Sequence, residues 1–290
     1  MDKYPSLFLF HQEKFIFRNP DQPVIIFEHQ SAKIYFSEKD KTLVSLDNAP
    51  FGSFITGQPV EKMDLLLCLE KVLSWSSSNK IRTVTIRSFP DTYDDHSSKM
   101  IKQSLLETSF DILHKDITQV VKVDRETSMA VNADKKRRLR TAEAKGFQFK
   151  ALPLRWLEKS YALIVQSRVS KGYPVTMTLE QLERMFTLFP NEYMLFGVFG
   201  HNKLIAASVS IKVTDKIVYC FYLGDDLKYR PISPVTTLVN GIYNFCNVNH
   251  FTLLDLGLST DNGKLNEGLY NFKKTFGALD SFKLTFIKQL

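Results

Sequence analysis

The second half of the chain changes its apolar spacing in a regular order. Leu157, Tyr161, Ile164 and Val165, with Arg168 one turn on, fall at helical intervals and predict a helix over 154–170. Leu179, Leu182, Phe186 and Phe189 predict a second. Three β-rich runs follow, 193–199, 203–213 and 216–223. The short polar breaks Gly200-His201-Asn202 and Thr214-Asp215 read as hairpin connections between them. Val235, Leu238, Val239, Ile242 and Cys246 return to helical spacing. Phe251 to Leu256 is a short buried strand. Leu265, Leu269, Phe272 and Phe276 mark a last helix, and 281–287 alternates as a closing strand. The expected order is helix, helix, three antiparallel strands, helix, strand, helix, strand.

The first half mixes the same elements less cleanly. Residues 24–27, 33–36 and 42–46 read as a meander, 50–54 as a loop and 60–75 as a helix ended by Ser76-Ser77-Ser78-Asn79. A strand at 80–87, a helix at 97–108 and β-rich sequence at 110–123 follow. Residues 131–145 predict a basic helix, with Asn132 or Asp134 to cap it and Gly146 to end it. Phe147 to Leu152 reads as a strand. The domain boundary is expected near 150, with domains 1–150 and 151–290.

The bulk numbers narrow the function classes. The chain has 290 residues, 44% hydrophobic and 24% charged, enough for two globular domains. Its net charge of +7 permits an anionic partner without requiring one, because acidic and basic residues are interspersed. Cys68, Cys220 and Cys246 each sit in an apolar run, which argues for buried thiols rather than a disulfide framework. The six histidines are scattered, so no metal is expected. No apolar run approaches the ~20 residues of a membrane span. Leu7 to Phe10 is too short for a signal-peptide core, so a cytoplasmic protein is expected.

The element order of the second half, together with two local patterns, resembles the GNAT acyltransferase fold. One pattern is Leu254-Asp255-Leu256-Gly257-Leu258-Ser259. The other is Gly268-Leu269-Tyr270-Asn271-Phe272-Lys273-Lys274-Thr275-Phe276-Gly277-Ala278. Both are similar to the end of the bacterial Fem peptidyltransferases, as is the basic helix closing in Lys145-Gly146-Phe147. The likeness covers 132–290. Over 1–131 it is weak and rests mostly on Ala49-Pro50-Phe51-Gly52. It implies an α+β architecture of two GNAT-like mixed α/β domains in tandem. Each has a central mixed sheet with splayed parallel strands flanked by helices, the C-terminal one being better supported. It also implies a wedge between 216–223 and 251–256 where the pantetheine arm of an acyl-CoA lies.

Two departures qualify that implication. The segment Lys228-Tyr229-Arg230-Pro231-Ile232-Ser233-Pro234-Val235 has no glycine where such enzymes usually cradle a pyrophosphate on helix N–H groups. Pro234 suits a first helical position but removes one donor. Residues 154–190 also have room for two ordinary helices only, not the long arm of many tRNA-dependent Fem enzymes.

Acyl transfer to an amine needs a proton acceptor for the amine, donors for the tetrahedral oxyanion, and at times a proton for the leaving group. Tyr222, before Leu223-Gly224-Asp225-Asp226, is the candidate proton donor, and Asp255 is the candidate that binds the acceptor amine. Their structural alternatives are a packed strand tyrosine and a turn-capping carboxylate. Lys228, Tyr229, Arg230 and Ser233 are the candidate cofactor contacts, with Lys228 and Arg230 able to hold a phosphate by charge. Arg168, Asp225, Ser259 and Lys273 are candidate substrate contacts. Lys273, between Phe272 and Phe276, reaches into the cleft or snorkels.

The expected function is transfer of an acyl or aminoacyl group onto an amine from a small-molecule donor. Acyl-CoA is a possible co-substrate, and no cofactor is bound permanently. A catalytically silent binding module for an anionic ligand or protein partner is the alternative. A tRNA-dependent Fem-type peptidyltransferase is a further one, with the run 135–140 as its nucleic-acid contact. The resemblance implies a bacterial protein.

Overall fold

The computed structural model describes residues 8–56, 61–124 and 126–290. The amino-terminal stretch 1–7 and Val60, at the start of the expected first long helix, lie outside the described residues. Unit 1 takes in Met1–Thr118, Leu258–Asn266 and Asp280–Leu290, and unit 2 takes in Gln119–Gly257 and Glu267–Leu279. The units are therefore interleaved along the chain rather than consecutive.

Unit 1 contains α1 (Glu13–Ile16), β1 (Ile25–His29), β2 (Ala32–Lys39), β3 (Thr42–Val44), β4 (Ile55–Thr56), α2 (Lys62–Ser78), β5 (Thr83–Arg87) and α3 (Asp95–Glu107). The strand β6 (Asp111–Lys122) begins there. The meander expected at 24–46 is present as β1 to β3, all antiparallel to their sequence neighbours. β3 then pairs with β5 in parallel. Asp94 caps α3, its carboxylate accepting the Ser97 N–H.

Unit 2 opens with α4 (Ala133–Ala144) and β7 (Gln148–Ala151). α5 (Leu157–Val169), α6 (Leu179–Leu188), β8 (Tyr193–Gly200), β9 (Lys203–Thr214) and β10 (Ile217–Asp225) follow. Then come α7 (Pro234–Val248) and β11 (Leu253–Leu258). After a small hairpin in unit 1, β12 (Thr260–Asp261) with β13 (Lys264–Leu265), the chain returns as α8 (Glu267–Lys274). It ends in β14 (Leu279–Gln289), antiparallel to β5. The sheet of unit 2 runs β11-β10-β9-β8-β7. This is the expected order, with two local corrections. The last helix starts at Glu267 rather than Leu265, because Asn262-Gly263, both at positive φ, turn the preceding residues into a hairpin. The run Leu227–Ile232, between the third strand and the helix after it, is a short 3₁₀ helix to which the apolar spacing gave no element.

Local chemistry explains the helix starts. Asn132 caps α4 and accepts the Lys135 N–H. Thr178 and Gln181 form a reciprocal capping box on α6. Pro234 occupies the first position of α7. Val218, Cys220, Leu254 and Leu256 pack with Leu238, Val239, Ile242 and Cys246 of α7 in one core, which also takes in Phe276. α5 lies against β9 and β10. Gly224 permits that approach: a Cβ there would sit 2.6 Å from the Ile164 Cα. Cys68, Cys220 and Cys246 are buried free thiols. Among the described residues no helix is long and apolar enough to cross a membrane.

Candidate functional site

β10 and β11 are parallel and paired over three positions only, Ile217–Tyr219 against Leu253–Asp255. β10 then runs on to Asp225, paired with β9. The last paired position, Tyr219 opposite Asp255, is the fork of the expected wedge. On the β9 side the register slips between Cys220 and Tyr222, leaving Phe221 as an extra residue. Strict alternation would put Tyr219 and Tyr222 on opposite faces. The bulge brings Tyr222 round to the side of Arg168 on α5, whose charge also acts on Tyr219.

Asp255 is buried at 1% exposure, and its carboxylate accepts the Gly257 N–H at 2.6 Å. Gly257 sits at φ +83, a conformation that favours glycine. Lys273, 3% exposed, comes in from α8 and donates to the Gly257 carbonyl at 2.6 Å. Burial pushes its ammonium down to about 7, with the Asp255 carboxylate acting in the opposite direction. A lysine poised near neutrality beside a buried carboxylate can exchange a proton with an amine. The nearby Cys220 thiol is pushed up to about 12 by burial, so it stays protonated and is no nucleophile at neutral pH.

A second group of charges surrounds Asp225, which is 4% exposed. It accepts from Ser167 Oγ at 2.8 Å and meets Arg230 Nε at 3.4 Å and Lys171 Nζ at 3.7 Å. Arg230 also donates to Ser170 Oγ at 2.8 Å. The Arg168 guanidinium stands 5.0 Å from the centre of the Tyr222 ring and donates to the Pro174 carbonyl. Burial lowers the pKa of both Arg168 and Lys171, and Arg230 and Arg168 push Lys171 further down. Two cations, Lys171 and Arg230, thus share one buried carboxylate. Asp225 is engaged by the protein's own side chains, where the sequence suggested a clamp on substrate.

The Tyr222 hydroxyl is also in use. It accepts the Thr176 and Met177 N–H groups at 2.9 and 3.0 Å and lies 2.6 Å from Thr176 Oγ1. It therefore holds the segment after α5 in place. Of the expected cofactor contacts, Lys228 is exposed with its N–H on Asp226. Tyr229 packs edge-on to Phe147. Ser233, at φ 58 before α7, has its Oγ 2.8 Å from Thr236 Oγ1. Arg138 of α4 donates to the Pro231 carbonyl at 2.9 Å, joining the basic helix to this segment. Ser259 belongs to unit 1, where its N–H donates to the Ile117 carbonyl, so it does not share a unit with Asp255 and Lys273.

Tyr219 and Lys171 were missed at the sequence level. Lys171 follows a helix end with no pattern to mark it. Tyr219 is two residues before Phe221, and only the bulge reveals which tyrosine stands at the fork. Among the described residues no cluster of three or more His, Cys, Asp or Glu could hold a metal ion.

No family model and no curated protein matches the chain. Among solved structures it is similar to FemX, with TM-score 0.73 and 12% identity, covering 99% of this chain and 93% of that one. It is also similar to the C-terminal domain of a putative lysylphosphatidylglycerol synthetase from Agrobacterium fabrum (TM-score 0.61, 10% identity, 95% and 86% covered). A third neighbour is L-PGS from Bacillus licheniformis (TM-score 0.61, 11% identity, 92% and 83% covered). At these identities the likeness is one of fold. That fold is the GNAT-like, Fem-type α/β architecture expected from the sequence.

Proposed function

We propose that this chain is an acyltransferase that moves an acyl or aminoacyl group from a thioester or ester donor onto an amine. The observation that carries the reading is the fork itself. Pairing of β10 with β11 stops at Tyr219 and Asp255, and Lys273 is buried beside Asp255 with its ammonium near neutrality. In this reading the neutral Lys273 amine takes the proton that the attacking amine gives up, and Asp255 holds the resulting ammonium. Arg168, Lys171 and Arg230 bind an anionic group of a substrate. Lys228, Arg230 and Ser233, before α7, contact a phosphate of the donor. The hydroxyls of Ser233 and Thr236 and the charge of Arg230 stand in for a glycine-rich turn there. Acyl-CoA is one such donor.

A second reading has the donor as the ester of an RNA, as the Fem resemblance implies. The Arg138 contact with Pro231 favours it, because it places the basic helix α4 against the same segment. Lys136, Arg137 and Arg140 are exposed on that helix.

The test is thermal stability with acyl-CoAs, CoA and nonhydrolysable aminoacyl-adenosine analogues. A ligand at ~100 times its dissociation constant adds about 2.7 kcal/mol. A rise with acyl-CoA supports the thioester donor. A rise with the adenosine analogue alone supports the ester donor. No shift with any of them sinks the transferase reading and leaves a silent binding module.

A further inference from the structure

One corner of unit 2 presents apolar side chains and cations together. β7, the edge strand of its sheet, leads into the 3₁₀ turn Leu154–Trp156 before α5. Leu154 is 48% exposed, and Leu152, Trp156 and Phe199 are half-buried. The Trp156 and Phe199 rings meet edge-on, with centres 5.0 Å apart. Lys159 of α5 holds its Nζ 5.3 Å from the centre of the Trp156 ring. Lys150 of β7 holds its Nζ 5.4 Å from the centre of Phe199. Arg155 lies between Leu154 and Trp156 in the turn. Lys150, Arg155 and Lys159 are all exposed, and none has an ion pair among the described residues. Glu158 is the one acid between residues 148 and 159. The net charge of +7 comes from unit 2, while in unit 1 acidic and basic residues nearly cancel.

We propose that this corner is a docking surface for an anionic lipid membrane. An exposed leucine gains by leaving water for the acyl chains. An indole is at home at the level of the headgroups. Lysines whose stems lie along aromatic rings keep their ammonium groups at the rim, where lipid phosphates meet them. Apolar side chains ringed by cations suit a surface that lies on a bilayer without crossing it. A nucleic acid would use such rings as stacking platforms. Here each ring already has a lysine over it and the two rings pack on each other, so a stacked base would first displace those contacts. The surface stands apart from the candidate site, to which none of these residues belongs.

The experiment is co-sedimentation of the full chain with vesicles of phosphatidylcholine, alone or with about one-third phosphatidylglycerol. The expected result is binding to the anionic vesicles only, weakened by salt as the screening length shortens. Lys150→Gln and Lys159→Gln should each lower the partition coefficient about 5-fold. Leu154→Asn should lower it about 5-fold or more. In a Trp75→Phe background, which leaves Trp156 as the sole indole, the emission should shift to shorter wavelength on binding. All three substituted side chains are exposed, and thermal unfolding matched to wild type excludes a folding defect. No binding to the anionic vesicles, or equal binding to both kinds, overturns the assignment. So does binding that none of the three substitutions changes, which would place the contact on another basic surface. Loss with the lysine variants but not with Leu154→Asn also overturns it, because charge alone would then hold the chain. Filter binding of unfractionated transfer RNA supplies the last arm. RNA binding weakened by Lys150→Gln and Lys159→Gln, without vesicle binding, assigns the surface to nucleic acid instead.

Discussion

Unit 2 buries two lysines on two helices, and they are held in opposite ways. Lys273 on α8 ends on a backbone carbonyl beside a buried carboxylate. Lys135 on α4, 6% exposed, ends over rings, with Nζ 4.4 Å from the centre of Phe272 and 5.4 Å from that of Phe276. The carboxylate next to it in sequence, Asp134, is taken by Arg137 and Arg138. Burial lowers both ammonium groups. Each feels a carboxylate, Asp255 for Lys273 and Asp134 for Lys135, but Asp134 is also held by two arginines. Burial of a lysine therefore does not by itself mark function. Partner chemistry separates a packed cation from a reactive one, and the phenyl rings flanking Lys273 in sequence are what Lys135 rests on.

The largest expected effect tests the pair directly. Asp255→Asn leaves Lys273 without its carboxylate, and breaking a buried pair should cost about 3–5 kcal/mol near pH 6, measured by denaturant unfolding. A cost under about 1 kcal/mol would break the contrast, since Lys273 would then need no more support than Lys135.

Gly277→Ala disturbs both lysines at once. Gly277 follows α8 at φ +71, and its Cβ would meet the Ala130 carbonyl oxygen at 2.6 Å, just before α4. The left-handed backbone and the close approach together should cost about 2 kcal/mol or more in the same measurement.

The pH dependence sharpens the comparison. Lys273 titrates near 7 in the folded chain and at its ordinary 10.5 when unfolded. Between those values the unfolded chain binds more protons, so stability rises with pH across that window. The slope from this one group is at most about 1.4 kcal/mol per pH unit. Lys273→Met should remove that slope from the wild-type profile. Lys135 contributes with the same sign, and Lys135→Met should leave the slope near pH 7–8 in place.

The smallest effect is the stability change in Lys135→Met itself. Loss of the cation over two rings, offset by a thioether on the same rings, should change stability by about 1 kcal/mol or less.

Much of unit 2 was legible because its apolar periods are long and clean. The spacings in 157–168 and 235–246 specify α5 and α7, and the hairpin breaks at 200–202 and 214–215 separate β8, β9 and β10. Asp255 and Lys273 were legible as candidates because charges inside apolar runs are costly unless partnered. The hairpin Thr260–Leu265 was not, because Leu265 also fits the helical spacing of Leu269, Phe272 and Phe276. Tyr222 was chosen over Tyr219 because it borders the strand end. Nothing in the residues around Phe221 marks a bulge, which arises from how β10 must pair with β9.

The amino-acid sequence alone determined the element order of unit 2, the burial of its thiols and the two charges placed in apolar surroundings. Those follow from local periodicity and from the cost of desolvating polar groups. Only the tertiary structure decided that Asp255 and Lys273 both hold Gly257, that Asp225 gathers Ser167, Lys171 and Arg230, and that Tyr219 is the tyrosine at the fork. These depend on strand register and on contacts between residues far apart in the chain, and no local spacing encodes them.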